Sequence, residues 1–165
     1  MDEDGSISVY DPAHKQWATE VKEECEHIQD KAERLKSDIE VHKGRAVALS
    51  NLAAEGKLSL EGLRKLTEGL EQKAGQLYER ADAVELEAHI HMEQNIDDMD
   101  YLLPKKARNG RNKAMTEMFH AVEDTQDVRR DLEKTVVSVR EKLDETTEAK
   151  TEDTSEDQSK VQERA

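Results

Sequence analysis

Aromatic residues are scarce in this sequence: the 165 residues include only Tyr10, Trp17, Tyr78, Tyr101 and Phe119. A compact globular core usually leans on aromatic side chains, because each one buries roughly 150–250 Å² of surface. The chain also has only two prolines and seven glycines, so few residues interrupt a helix. Burial must then come from aliphatic side chains in narrow seams between long helices, and the sequence predicts an all-α fold of coiled-coil type.

Other features are absent as well. Cys25 is the only cysteine, so no internal disulfide can form. No stretch approaches the roughly 20 apolar residues that a membrane span needs. The N-terminus, Met1-Asp2-Glu3-Asp4, is acidic and lacks the apolar run of a signal peptide. We therefore expect a cytoplasmic protein without a membrane span.

Charge is abundant but of one prevailing sign. Charged residues make up 39% of the chain, and the formal net charge is −14. General binding to nucleic acid or to anionic lipid is disfavoured, because phosphate recognition needs a basic face. The exception is the segment 104–113, which carries five positive charges and no negative one.

A first helix is predicted from Pro12, because Asp11 can cap its free amides and proline suits the first helical position. Small and apolar residues then alternate at spacings of three and four, the heptad pattern of a helix seam. Small residues dominate one seam position, which favours close packing in a long antiparallel helical hairpin over a parallel zipper. The two seam positions are Ala18, Cys25, Ala32, Ile39, Ala46 and Ala53, and Val21, Ile28, Leu35, His42 and Leu49.

A second helix of similar length is predicted after Gly56, which can take the left-handed conformation that ends a helix. Ser59 is placed to cap the second helix, and Pro104 to end it. Two successive steps of four that begin at Leu66 predict a stutter, a local unwinding of the supercoil. The predicted seam is Leu63, Leu66, Leu70, Ala74, Leu77, Ala81, Val84 and Ala88, continued by Met92, Ile96, Met99 and Leu103.

The remaining residues predict a turn, a third helix and a tail. Asn109-Gly110 is a turn signal, and Asn112 can cap a third helix. After Asp144 the chain is almost entirely polar, which is typical of disorder. The third helix either folds back on the hairpin or joins a partner chain. The predicted segments are an acidic disordered arm (1–11), the hairpin (12–103), a basic turn (104–112), the third helix (113–145) and a disordered acidic tail (146–165).

Several histidine and glutamate spacings bear on catalysis and metal binding. Two Glu-x-x-His steps, Glu24 to His27 and Glu117 to His120, have the spacing used by di-metal helical bundles. The heptad register places these residues beside or outside the seam, so we predict no enzyme, no metal and no cofactor. Glu87, His91 and Asn95 are predicted to form a hydrogen-bonded ladder, His42 to mark register as a buried polar residue, and Cys25 to be an inert thiol.

The candidate partner-binding residues come from the basic turn, from the apolar residues that follow it, and from Trp17 beside the first seam. Lys105-Lys106-Ala107-Arg108 resembles a short nuclear-import signal, and the alternatives are docking of an acidic partner or neutralisation of the acidic stretch 82–100. Trp17 is either an interface anchor or an edge cap on the chain's own core. The full set is Trp17, Lys105, Lys106, Arg108, Arg111, Met115, Met118 and Phe119.

Three function classes follow in order of preference. The first is a non-catalytic coiled-coil scaffold or subunit that binds protein partners through its seams, as a homo- or hetero-oligomer. The second is an acidic regulator, whose stretch 82–100 imitates nucleic acid and inhibits a basic, nucleic-acid-binding protein. The third is a di-metal helical-bundle enzyme.

Overall fold

A computed structural model describes residues 12–95 and 105–164, with side chains described for 16–95 and 105–149. It contains three helices: α1 (Pro12–Ala54), α2 (Leu60–Asn95) and α3 (Lys105–Arg164). The described residues contain no β-strand, and the predicted all-α class is confirmed. The predictions for residues 1–11 and 96–104, including the helix end at Pro104, lie outside the described residues.

The end of α1 is set by Gly56. This glycine has a φ of 67°, a left-handed conformation that side chains with a Cβ rarely adopt. Its N–H donates to the Ala53 carbonyl (3.2 Å), and the Lys57 N–H donates to the Leu52 carbonyl (3.2 Å). These two bonds form the Schellman motif, which satisfies carbonyls left open at a helix end. The predicted stop at Gly56 is therefore confirmed.

Ser59 begins α2 as its cap. The Gly62 N–H donates to the Ser59 Oγ (3.0 Å), and the Leu63 N–H donates to the Ser59 carbonyl (2.9 Å). The side chain thus satisfies an amide that has no partner inside the helix. The predicted cap is confirmed.

The chain forms two compact units, and each contains segments of all three helices. The described part of unit 1 comprises residues 12–36, 79–95 and 105–127. That of unit 2 comprises 37–78 and 128–164. The boundaries cut through helices rather than following the five successive segments that the sequence predicts.

The predicted seam of α1 is buried almost throughout. Ten of its eleven residues are at most 6% exposed, and Ala53 is half-buried. His42 is the polar member, with 4% of its surface exposed. The alternating spacing of three and four is kept without interruption from Ala18 to Leu49. The sequence pattern therefore identified the buried face of this helix correctly.

The predicted seam of α2 is wrong at one residue. Leu66 is 50% exposed, whereas the adjacent Thr67 is fully buried. With Thr67 in the seam the spacing from Leu63 to Leu70 is four and three, so the predicted stutter is absent from this part of α2. Thr67 tolerates burial because its Oγ1 donates to the Leu63 carbonyl (2.7 Å), which leaves no unsatisfied hydroxyl.

The basic turn predicted over 104–112 is wrong from Lys105 onward, because α3 begins at that residue. Asn109-Gly110 lies within the helix, and so does Asn112, the predicted cap. Helix can continue past a glycine at a cost of about 1 kcal/mol. Here Ala114 and Met118, which are 4% and 0% exposed, pack in a core cluster and stabilise the helix beyond Gly110.

The C-terminal boundary of α3 also differs from the prediction. The helix continues to Arg164, across the segment 146–165 for which the sequence predicts disorder. No glycine or proline follows Gly110 in the sequence, so nothing local terminates the helix. The hydroxyls of Thr146 and Thr147 donate to carbonyls four residues earlier, each at 2.8 Å.

Helix α3 packs against the other two helices within each unit. In unit 1 the buried Thr125 Oγ1 donates to the Ala32 carbonyl of α1 (2.9 Å), and Gln126 Nε2 donates to the Ala81 carbonyl of α2 (3.3 Å). In unit 2, Arg140 forms a two-pronged ion pair with Glu71. Of the two predicted alternatives for the third helix, the structure shows folding back onto the chain's own helices.

His42 offers a test of the seam. Its Nε2 lies 2.9 Å from the Leu70 carbonyl, which can only accept, so Nε2 carries the proton. Its buried Nδ1 has no hydrogen-bond partner among the described atoms. We expect His42→Leu to raise the free energy of unfolding by about 1 kcal/mol, because it removes an unsatisfied buried atom and keeps the packing.

Urea denaturation of His42→Leu and the wild type measures this effect. His42→Ala serves as the control, since it removes the same nitrogen atoms but leaves a void, and it should be less stable than the wild type. A lower stability for His42→Leu would show that the bond to Leu70 outweighs the cost of the unsatisfied nitrogen.

Candidate partner-binding site

Five of the predicted partner-binding residues lie together in unit 1. Met118 belongs to the core cluster, and Trp17, Met115 and Phe119 pack against it. Arg111 reaches the same cluster, with its guanidinium carbon 5.5 Å from the centre of the Trp17 ring. The first turns of the described parts of α1 and α3 thus contribute to one apolar and aromatic site.

Trp17 is held by a chain of hydrogen bonds between α1 and α2. Its Nε1 donates to Asn95 Oδ1 (3.1 Å), and Asn95 Nδ2 donates to His91 Nδ1 (3.1 Å). His91 Nε2 in turn lies 3.2 Å from the Val21 carbonyl, so Nε2 carries the proton and Nδ1 accepts. The predicted ladder is confirmed for His91 and Asn95, whereas Glu87 instead pairs with Lys31 (3.1 Å).

These contacts make Trp17 a cap on the core of unit 1. The indole is half-buried, its polar atom is satisfied, and the Arg111 guanidinium covers its face, a cation–π arrangement worth roughly 0.5–2 kcal/mol. Of the two alternatives for Trp17, the contacts within the single chain match the edge cap.

Two members of the predicted set are not available to a partner. Met118 is fully buried, and Arg111 is only 4% exposed. Their seam spacing turns these two side chains inward together with Ala114, so in the single chain they belong to the core rather than to an exposed surface. Met115 and Phe119 are half-buried, and the Phe119 ring lies 5.4 Å from the His89 ring.

The first turn of α3 carries unfavourable charges. Lys105 and Lys106 are exposed, Arg108 is half-buried, and this turn contains no acidic residue. Positive charges near a helix N-terminus oppose the macrodipole, at about 0.3–1 kcal/mol each. Local helix stability therefore does not account for these cations.

Cys25 lies in the core of unit 1 with no exposed surface. Burial, reinforced by the charges of Glu24 and Glu26, raises the pKa of the thiol to about 11, against a smaller opposing effect of Arg111. A thiolate is the reactive form of cysteine, so both the access and the ionisation needed for nucleophilic chemistry are lacking.

The described part of the acidic stretch, residues 82–95, is engaged within the chain. Glu87 pairs with Lys31, and Gln126 Nε2 donates to carboxylates of Asp82 and Glu85. The acidic residues at 97, 98 and 100 lie outside the described residues. Several of the carboxylates that would imitate phosphates thus already bind the chain's own side chains.

The Glu-x-x-His pairs do not assemble into one site. Glu24, His27, Glu117 and His120 are all exposed. Glu117 and His120 line a shallow cavity of about 260 Å³ that neither Glu24 nor His27 reaches. Among the residues whose side chains are described, no group of three or more His, Cys, Asp or Glu could hold a metal ion.

Sequence reasoning missed the exposed apolar surface. The heptad pattern could have identified most of this surface, because a leucine or isoleucine outside the seam positions predicts an exposed apolar side chain. Leu66 could not be found in this way, since its neighbour Thr67 is polar and the pattern favoured leucine for the seam. Within 16–95 and 105–149, where side chains are described, the large exposed apolar residues are Val41, Val47, Leu52, Leu66, Leu86, Ile90 and Val137.

The sequence matches no protein-family model, and no curated protein or solved structure is similar enough to it to count as a relative. No helix among the described residues combines the length and the apolarity that a membrane crossing requires. The proportion of helix and the buried seams define the chain as an all-helical bundle protein.

Proposed function

We propose that this protein is a non-catalytic coiled-coil scaffold, a helical subunit that binds and positions protein partners. The observation that carries the proposal is the uninterrupted series of ten buried residues, spaced three and four apart, from Ala18 to Leu49 of α1. Such a series keeps one face of α1 packed against neighbouring helices over many turns. It is a packing seam between helices rather than the lining of a cavity for a small molecule.

The proposal includes an antiparallel hairpin of α1 and α2. Within unit 1, Trp17 meets Asn95 and Lys31 meets Glu87, so rising residue numbers on α1 meet falling numbers on α2. The short connection closed by Gly56 and Ser59 agrees with this direction. Small seam residues such as Ala32 and Ala88, both fully buried, let the helices approach closely.

The proposed docking point is the first turn of α3. Its exposed cations oppose the helix dipole, and an acidic partner would relieve this conflict. We place the protein in the cytoplasm. In the alternative proposal, the segment Lys105-Lys106-Ala107-Arg108 at the start of α3 serves as a nuclear-import signal. The acidic-regulator proposal has less support, because Glu85 and Glu87 bind the chain's own Gln126 and Lys31.

Two matched triple variants test the proposal. The change Lys105→Ala, Lys106→Ala and Arg108→Ala should weaken partner binding by about tenfold or more, since charge pairing at an interface is lost. The change Asp97→Asn, Asp98→Asn and Asp100→Asn should leave binding nearly unchanged. Partners are identified by crosslinking mass spectrometry in cells expressing the full chain, and affinities are then measured with purified proteins.

A scaffold must also bind more than one partner molecule at a time, which sedimentation of the reconstituted mixture measures directly. Loss of binding in the aspartate variant, together with displacement of the partner by nucleic acid, would contradict the scaffold and establish the acidic regulator instead.

A further inference from the structure

Unit 2 has an apolar groove between α1 and α2 that nothing in the described residues fills. It encloses about 480 Å³. Leu52 of α1 and Leu66 of α2 are 38% and 50% exposed, and both line the groove. We call this site the Leu66 groove; its lining is Ala48, Leu49, Leu52, Leu66, Gly69 and Leu70, with His42, Arg45, Lys65 and Lys73 completing it.

The charge of the Leu66 groove is positive. Arg45, Lys65 and Lys73 line it, and no carboxylate does. Lys65 pairs with Glu61 of its own helix at 3.6 Å, but both side chains are at least 75% exposed. Such an exposed pair contributes little and exchanges easily. In a chain of net charge −14, a basic and apolar groove is a specific feature rather than the average surface.

Unit 1 presents a face of complementary character on α2. Leu86 and Ile90 are 60% and 42% exposed, and at a spacing of four they lie on the same side of the helix. Residues 81–95 contain four carboxylates and no lysine or arginine. Leu86 and Ile90 line a shallow depression together with Glu24 and Glu87. Glu24 is exposed, and Glu87 pairs with Lys31 in a bridge whose two side chains are 36% and 44% exposed, so this pair can exchange for a contact with another molecule. We call this surface the Leu86 face.

We propose that the Leu66 groove of one molecule binds the Leu86 face of a second copy of this chain. The groove offers exposed leucines with a basic rim, and the face offers an apolar pair on an acidic helix. Complementary charge allows an acidic chain to associate at this contact although its other surfaces repel. This inference rests on the proposed scaffold role and specifies it as self-assembly.

The contact joins two different surfaces, so it is heterologous. Each molecule therefore has one groove and one face, and either can be disabled by itself. This property distinguishes the proposed contact from a dimer of one patch with itself, because mixing two different defects of that single patch would leave every molecule without an intact patch.

Gly69 allows the groove to be blocked without damage to the helix. It lies on the exposed side of α2, and a Cβ added there meets nothing within 4 Å. Gly69→Glu improves helix propensity and places a negative charge in the basic groove. Gly44→Glu is the matched control, because Gly44 is also exposed, helical and free of contacts but does not line the groove.

The test is sedimentation of the full chain over a wide range of concentration, with circular dichroism to verify that each variant is folded. The wild type and Gly44→Glu should self-associate, and the association should weaken as salt is raised. Gly69→Glu and Leu86→Lys should each associate at least about tenfold more weakly alone. An equal mixture of these two should form a one-to-one dimer, since one intact groove then meets one intact face.

A monomeric wild type, or a Gly69→Glu variant that associates like the wild type, would overturn the inference. Binding of an acidic amphipathic peptide to a monomeric wild type would do so as well, by assigning the groove to another protein. These outcomes leave the scaffold proposal standing, because its own test is the simultaneous binding of two partner molecules.

Discussion

Met118→Ala is expected to lower the free energy of unfolding by about 3 kcal/mol, within the roughly 2–5 kcal/mol found for such core truncations. Met118 has no exposed surface and packs in the core cluster of unit 1. The truncation removes apolar contacts and leaves a void between helices. Urea denaturation of the purified chain, followed by circular dichroism, measures the effect in the absence of any partner.

Val137→Ala is the control for this prediction. Val137 lies on the same helix but is 55% exposed, so its truncation should change the free energy of unfolding by less than about 0.5 kcal/mol. An unchanged stability for Met118→Ala would mean that Met118 is not a core residue of the isolated chain. The original prediction of a partner contact at this position would then regain support.

Cys25 is expected to react with a thiol reagent at least about 100-fold more slowly in the native protein than in concentrated urea at mildly alkaline pH. Burial is the main cause, since it both excludes the reagent and raises the pKa of the thiol from 9.0 to about 11. A folded-state pKa above the unfolded one means that Cys25 favours the folded state below pH 9. That contribution is lost as the pH rises toward 11.

A chromogenic thiol reagent measures both rates on the same sample. Cys25→Ala is the blank, because Cys25 is the only cysteine in the chain. Equal rates in native and denatured protein would show that Cys25 is accessible and that the core of unit 1 opens freely. This result would also weaken the assignment of the α1 seam.

The fold class and the buried face of α1 could be predicted because both depend on local pattern. A spacing of three and four sustained from Ala18 to Leu49 specifies one helix face, and Gly56 and Ser59 carry the capping chemistry that ends one helix and begins the next. The turn predicted at Asn109-Gly110 failed for the converse reason. Packing of Ala114 and Met118 in the core of unit 1 is a tertiary effect, and it outweighed the local signal.

The candidate site was harder to predict than the fold. Sequence reasoning named Trp17 beside the α1 seam and Met118 after the basic segment as candidates, and the structure brings these two residues together, but as cap and core. Thr67 is buried where the sequence predicts Leu66, because the Thr67 hydroxyl donates a hydrogen bond to the Leu63 carbonyl. Composition does not reveal such a bond. Which surfaces remain exposed depends on how the three helices cover one another. The sequence alone does not specify this packing.

The tryptophan at the edge of unit 1 has a consequence for how this molecule can be observed. Trp17 is the only indole in the chain, and it contacts Asn95 of α2 and Arg111 of α3 while it belongs to α1. Its emission is therefore an intrinsic optical probe of unit 1 alone, whereas circular dichroism sums over every helix. A difference between the two signals on heating would reveal that one unit melts before the other, with no label attached.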